Sequence, residues 1–115
     1  MPTETKLRKP FVKALREIGA VVIPYVGSSY GQQGVSDVFI AHKDWHGWIE
    51  FKGPTTQIAP LQQIFINGMR KRNVNAGVIR LLGEHKFQIE DKIYTYLTGW
   101  HIIKGLKEHD FCKSE

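Results

Sequence analysis

Asp37, Glu50 and Lys52 are charged residues in apolar company. The stretch from Gly34 to Lys52 reads G-V-S-D-V-F-I-A-H-K-D-W-H-G-W-I-E-F-K, with Asp37 at the head of one hydrophobic run and Glu50 and Lys52 at the tail of the next. Apolar strands keep charge out because an unpaired buried charge is costly. Side chains alternate along a strand, so Asp37, Phe39 and Ala41 share one face of the first run, and Trp48, Glu50 and Lys52 one face of the second. With K-D-W-H as the connection and His42 facing Gly47, Asp37 stands across from Lys52, and Glu50 is its diagonal neighbour at about 7–8 Å. A slip of one residue would send Asp37 to the opposite face. Taken singly, a wet Glu50–Lys52 pair at a strand end and a loop-capping Asp37 account for the charges. Their convergence at one end favours a site.

Such a cluster suits phosphodiester hydrolysis. Two carboxylates can hold one or two hard cations such as Mg2+, with Mn2+ able to substitute, and Mg2+ keeps several waters that a substrate phosphate can displace. The cation polarises a phosphoryl oxygen and lowers the pKa of a bound water. A lysine beside it orients that water or stabilises the charge developing on the phosphate.

The elements that must position these groups are legible in the periodicity. Leu7, Phe11, Ala14, Leu15 and Ile18 form the stripe of an amphipathic helix over 5–18, ended by Gly19. Lys6, Arg8, Lys9, Lys13 and Arg16 cover the rest, as a solvated face or as a phosphate-contacting one. Because of Pro10, the helix either starts near Lys9 or starts near Thr3 and is kinked. Ala20–Val26 is a strand, with Pro24 suggesting an edge or a bulge. The loop G-S-S-Y-G-Q-Q-G then connects strands or lines a site with backbone N–H groups, hydroxyls and Tyr30.

Val35–His42 and Gly47–Lys52 read as an antiparallel hairpin. A helix follows from Pro60 to about Arg72, with Leu61, Ile64, Phe65, Gly68 and Met69 as its inner face and Arg70-Lys71-Arg72 at the negative end of its dipole. Ala76–Leu82 is an internal strand. Lys86–Ile89 and Lys92–Tyr96 are short strands or extended segments, and Thr98–Leu106 is a closing helix. Trp100, Ile102 and Ile103 belong either to the core, the favoured place, or to a subunit interface, and the chain is expected to fray from about Glu108.

At 115 residues the chain has the size of one domain, 1–115, and a net charge of +5 is a modest signal for a polyanionic partner. Cys112 is the lone cysteine, which excludes a disulfide framework. His109 and Cys112 would supply only half of a zinc site. Neither a signal-peptide pattern nor a run of about 18 apolar residues is present, so a soluble intracellular protein is expected.

G-V-S-D followed by E-F-K resembles the metal-binding signature of the PD-(D/E)xK nuclease superfamily, with serine in place of the commonest proline. The element order is similar to its αβββαβ core. More narrowly, I-A-P-L-Q at 58–62 resembles the L-(S/T)-P-x-Q of VRR-Nuc domains, and G-Q-Q-G-V-S-D their glycine-led approach to the aspartate. The resemblance implies an α/β, restriction-endonuclease-like fold, a mixed central sheet flanked by helices, with a core over about 3–84 and a short C-terminal addition over 85–115.

It further implies Asp37 and Glu50 as metal ligands with the Phe51 carbonyl as a third, Lys52 as the catalytic lysine, and Gln62 reaching back to the site. A glutamate from the first helix is also implied, and Glu4, on the stripe of Leu7, is the candidate. Ser28, Ser29 and Tyr30 of the loop and Lys6, Lys9 and Lys13 of the helix would grip DNA. The implied activity is a Mg2+-dependent, structure-selective endodeoxyribonuclease that cuts branched DNA such as four-way junctions as a homodimer, with no membrane and no small-molecule cofactor beyond the metal. The alternatives are sequence-specific or non-specific DNA cutting within the same superfamily, a non-catalytic nucleic-acid-binding domain, or a plain globular domain with surface ion pairs.

Overall fold

Burial of Leu7, Phe11 and Leu15 fixes the first helix, α1, at Glu4–Glu17. It therefore runs through Pro10, and packing of the stripe outweighs the roughly 3 kcal/mol that an interior proline costs. Gly19, with φ at 90°, ends it in the left-handed region that glycine tolerates best. The computed structural model describes residues 4–26 and 34–112, so Ser28, Ser29 and Tyr30 lie outside the described residues.

The strands are β1 (Val21–Pro24), β2 (Val38–Ala41), β3 (His46–Lys52), β4 (Ala76–Gly83), β5 (Lys86–Ile89) and β6 (Lys92–Thr95). They form one sheet in chain order, which puts Pro24 on an edge strand as its sequence context suggested. Neighbours are antiparallel except β3 and β4, which are parallel and joined through α2 (Pro60–Lys71), the long crossover that parallel pairing demands. The fold is thus α/β with a mixed sheet, and β4 is internal as expected.

One face of the sheet carries α1 and α3 (Gly99–Lys107). The Phe11 ring meets Phe51, Phe87 and Tyr96 edge-on at centroid distances of 5.6, 5.4 and 5.5 Å. Gly105 of α3 sits over the same Phe87, and Gly99 lies so close to the Ala14 carbonyl that a Cβ has no room. The segment expected as a short C-terminal addition is therefore built into the sheet and core, through Phe87, Ile89, Ile102, Ile103 and Leu106.

Nor does the chain fray at Glu108. Phe111 is buried, its carbonyl accepts the Ala76 N–H, and the Cys112 thiol donates to Asn75 Oδ1. Trp100 corrects a second expectation: it is half exposed, edge-on to His42, because the inner side of α3 is taken by Ile102, Ile103 and Leu106. No helix among the described residues is long and apolar enough to cross a membrane.

The hairpin closes two residues tighter than the sequence suggested. Val38 pairs with Ile49 and Ala41 with His46, and His42 and Trp45 exchange backbone hydrogen bonds, leaving Lys43-Asp44 as the turn. Trp45 explains the shift, since its ring is buried against Phe111 and counts as core rather than loop. His42 reinforces it: Nδ1 accepts the Asp44 N–H and Nε2 donates to the Ile18 carbonyl, tying the turn to the end of α1. A shift of two preserves every side chain's face.

α2 covers the other face, and here the expected inner stripe is wrong by a rotation. Ile66 is its buried residue, while Leu61 and Ile64 are exposed. Phe65 meets Trp48 edge-on, and Arg70 Nε donates to the Ala76 carbonyl at 2.7 Å, so that arginine pins helix to strand rather than serving the dipole. Arg72 keeps the helix-end role, donating to the Gly68 carbonyl.

Candidate active site

At the end of β2 and β3 the pairing would next place Asp37 opposite Glu50, rather than opposite Lys52. The Asp37 carboxylate itself takes over the ladder there, its Oδ2 accepting the Phe51 N–H at 2.8 Å. Alternation puts Trp48, Glu50 and Lys52 toward α2 and Ile49 and Phe51 toward α1. Asp37, Glu50 and Lys52 thus converge at one end, with Glu50 and Lys52 exchanging places relative to Asp37.

Glu50 is 3% exposed. Its Oε2 accepts from Gln62 Nε2 at 2.9 Å and lies 3.6 Å from the Lys52 ammonium. Gln62 is held at its other end, where Oε1 accepts the Ala59 N–H at 3.0 Å and caps the first turn of α2. The cap fixes which end of the amide faces Glu50, so α2 places a donor on the carboxylate. Gln63 turns outward to Asn67.

The second oxygen, Glu50 Oε1, is buried with no donor. Burial, and next the neighbouring Asp37 carboxylate, push the Glu50 carboxyl up to about 7, against the opposing pull of Lys52 and with a smaller push from Glu4. A buried acceptor beside a second acid is satisfied by a shared proton or by a cation. Its donor set, two carboxylates and the Phe51 carbonyl on the same strand, fits an oxygen-seeking divalent ion that keeps several waters. No group of three or more His, Cys, Asp or Glu residues arranged to hold a metal occurs among the described residues. The fit therefore rests on this sparse oxygen set.

α1 reaches the same end of the sheet from the other side. Glu4 reaches the cluster through Arg8, a residue whose sequence context places it on the basic face of the helix. Arg8 Nη2 lies 2.6 Å from Glu4 Oε1 and 3.5 Å from Asp37 Oδ2, and its guanidinium lies 4.8 Å from the Phe51 ring centroid. The available signal was the i, i+4 spacing of Glu4 and Arg8 on the turn that carries Leu7. Arg8 Nε, Ser36 Oγ and Glu50 Oε1 are the buried side-chain polar atoms without a partner among the described residues. Buried polar groups are ordinarily satisfied, and these belong to α1, to the residue before Asp37 and to Glu50.

Arg80 was also missed. It pairs with Lys52 across the parallel β3–β4 ladder and donates to the Gly53 and Thr56 carbonyls at 2.9 and 2.6 Å, bracing the segment that leaves the E-F-K strand. Gly34, with φ at 80°, packs its backbone on the Leu61 carbonyl where any Cβ would collide, so the approach to Asp37 lies against the start of α2. Nothing matches this chain among protein-family models, curated proteins or solved structures.

Lys6, Lys9 and Lys13 are exposed on α1. Beside them a groove of about 560 Å³ runs between α1 and β1–β2, walled by Arg8, Lys9, Lys13 and Arg16 with Glu17 as the one acid among them, and floored by Val22 and Val38.

Proposed function

We propose that this chain is a divalent-cation-dependent endodeoxyribonuclease of the PD-(D/E)xK type, most similar to VRR-Nuc domains, acting on branched DNA such as four-way junctions. The observation that carries the reading is the meeting of Asp37, Glu50, Lys52 and Gln62 at one strand end around a buried carboxylate oxygen that has no donor. The element order α1-β1-β2-β3-α2-β4, with the parallel pair spanned by α2, supports a restriction-endonuclease-like core.

Asp37, Glu50 and the Phe51 carbonyl would hold Mg2+, or Mn2+ in its place. When bound, such an ion acidifies a water and offsets charge on the scissile phosphate. Gln62 keeps the Glu50 carboxylate turned toward the site, and Asp37 is steadied by the Phe51 N–H. Lys52, its side chain largely enclosed, supplies a positive charge beside the phosphate and orients the attacking water. The cationic wall of the groove, together with exposed Lys6, Lys9 and Lys13, offers contacts for a polynucleotide backbone.

A homodimer belongs to the reading, because paired cuts across a junction suit two-fold symmetry. Uncovered apolar side chains support it. Val21 and Ile23 of β1 and Leu61 and Ile64 of α2 are 56, 51, 49 and 65% exposed, on the side of the sheet that, among the described residues, carries α2 alone.

The test is Mg2+-dependent cleavage of a four-way junction compared with a flap, a linear duplex and a single strand, with Asp37→Ala as control. Junction cleavage that the substitution abolishes supports the proposal. Tight junction binding with no cleavage by the unmodified protein refutes the enzymatic reading.

A further inference from the structure

We infer that Arg8 is the resident counter-cation of the carboxylate cluster, which a divalent ion displaces from Asp37, and that the displaced guanidinium then takes a substrate phosphate. The inference rests on the nuclease reading above. One guanidinium already spans two of the acids at the site, at 2.6 Å from Glu4 and 3.5 Å from Asp37. It sits on the ring of Phe51, whose N–H holds Asp37. Two cations on one carboxylate compete for the same charge. A nearby arginine changes a carboxylate's proton affinity by about one to three decades, and rivalry with a metal ion obeys the same electrostatics.

The grip on Asp37 is nevertheless incomplete. Charge-assisted N–H···O contacts close to about 2.7–2.9 Å, and the Asp37 contact is 3.5 Å. Arg8 Nε is buried without any acceptor, whereas an arginine with a purely structural role has its buried donors met. The remaining donors form a rigid fork that matches an anion carrying several oxygens. A phosphate answers that description. Arg8 also lines the α1 groove beside Lys9, Lys13 and Arg16, so a rotation away from Asp37 brings it into line with three more cations. The metal-free protein is thereby kept from leaving its acids uncompensated, and metal and phosphate arrive as a coupled pair.

Arg8→Gln separates the two roles because it moves two affinities in opposite directions, which loss of structure cannot do. Mn2+ titrated calorimetrically at about pH 8 is expected to bind Arg8→Gln about tenfold more tightly than the unmodified protein. In Ca2+, junction binding measured by fluorescence anisotropy is expected to weaken several-fold, with a salt slope smaller by about one. Arg8→Lys, which keeps the charge, stays close to the unmodified protein in Mn2+ affinity.

Unchanged or weaker Mn2+ binding by Arg8→Gln overturns the inference and leaves the nuclease reading standing. Absence of Mn2+ binding by the unmodified protein overturns both. If Arg8→Gln does not fold, the unmodified protein still decides the matter. Saturating Mg2+, followed at the Phe51 amide, must move the Arg8 Nε–H resonance, and a stationary resonance overturns the inference.

Discussion

Replacing Glu50 by glutamine should make the protein more stable. In the folded chain the Glu50 carboxyl holds its proton up to about pH 7, against 4.5 for an ordinary glutamate, first because it is buried and next because Asp37 is charged beside it. Between those two values the folded state keeps a proton that the unfolded state gives up. Stability is therefore fully present below about pH 4.5, falls as the pH rises through the window, and is flat above about 7. The full loss is on the order of 3 kcal/mol, taking about 1.4 kcal/mol for each decade of proton affinity.

Glutamine does not ionise, keeps an oxygen for the Gln62 Nε2 donor and presents N–H groups to Asp37. The attraction of Lys52 is forfeited, which reduces the gain to about 1–3 kcal/mol at pH 8. That corresponds to a rise in Tm of about 4 °C or more per kcal/mol in a domain of this size. Calorimetric melts from about pH 4.5 to 8, with divalent ions chelated, should show the two proteins diverging as pH rises. Added Mg2+ should then restore stability to the unmodified protein alone, through binding to the folded state. A Glu50→Gln variant that melts below the unmodified protein at pH 8, or that follows its pH dependence, would show that no buried-charge penalty exists at this position.

On the proposed nuclease reading, in which its charge would act on the phosphate, Lys52→Ala should lower junction cleavage by about 10²–10³-fold while leaving Mn2+ binding intact; calorimetry beside cleavage kinetics separates the two. Gln62→Ala removes a donor from Glu50 and the cap at Ala59, and should cost about 1 kcal/mol for each bond in denaturant melts, together with slower cleavage. Gly99→Ala forces a methyl into the Ala14 carbonyl, so Tm should drop by the equivalent of about 1–3 kcal/mol, and an unchanged melt would mean that α3 does not rest on α1 there.

The carboxylates and Lys52 were legible in the sequence because parity along a strand survives errors of register. The hairpin closes two residues tighter than its sequence suggests, yet a shift of two leaves Asp37, Glu50 and Lys52 on one face. Trp45 caused the error: nothing local distinguishes a loop tryptophan from one whose ring packs on Phe111, some 66 residues later in the chain. The rotation of α2 was hidden for a similar reason. Its apolar residues outnumber the places on a face with one helix, and Arg70 and Gln62, both polar, set the angle through Ala76 and Glu50. Arg8 looked like one more cation of a basic helix because its partner, Asp37, lies on the far side of a strand.

The seating of Gly99 against Ala14 bears on how the protein is made. Asp37, Glu50, Lys52 and Gln62 all come from one hairpin and the helix that follows it, so they can assemble early on a growing chain. α1, which carries Glu4 and Arg8, has nothing to lean on along that flank until residues 99–107 have left the ribosome and folded over it. The carboxylate cluster is thus expected to mature last at the helix that brings Glu4 and Arg8 to it.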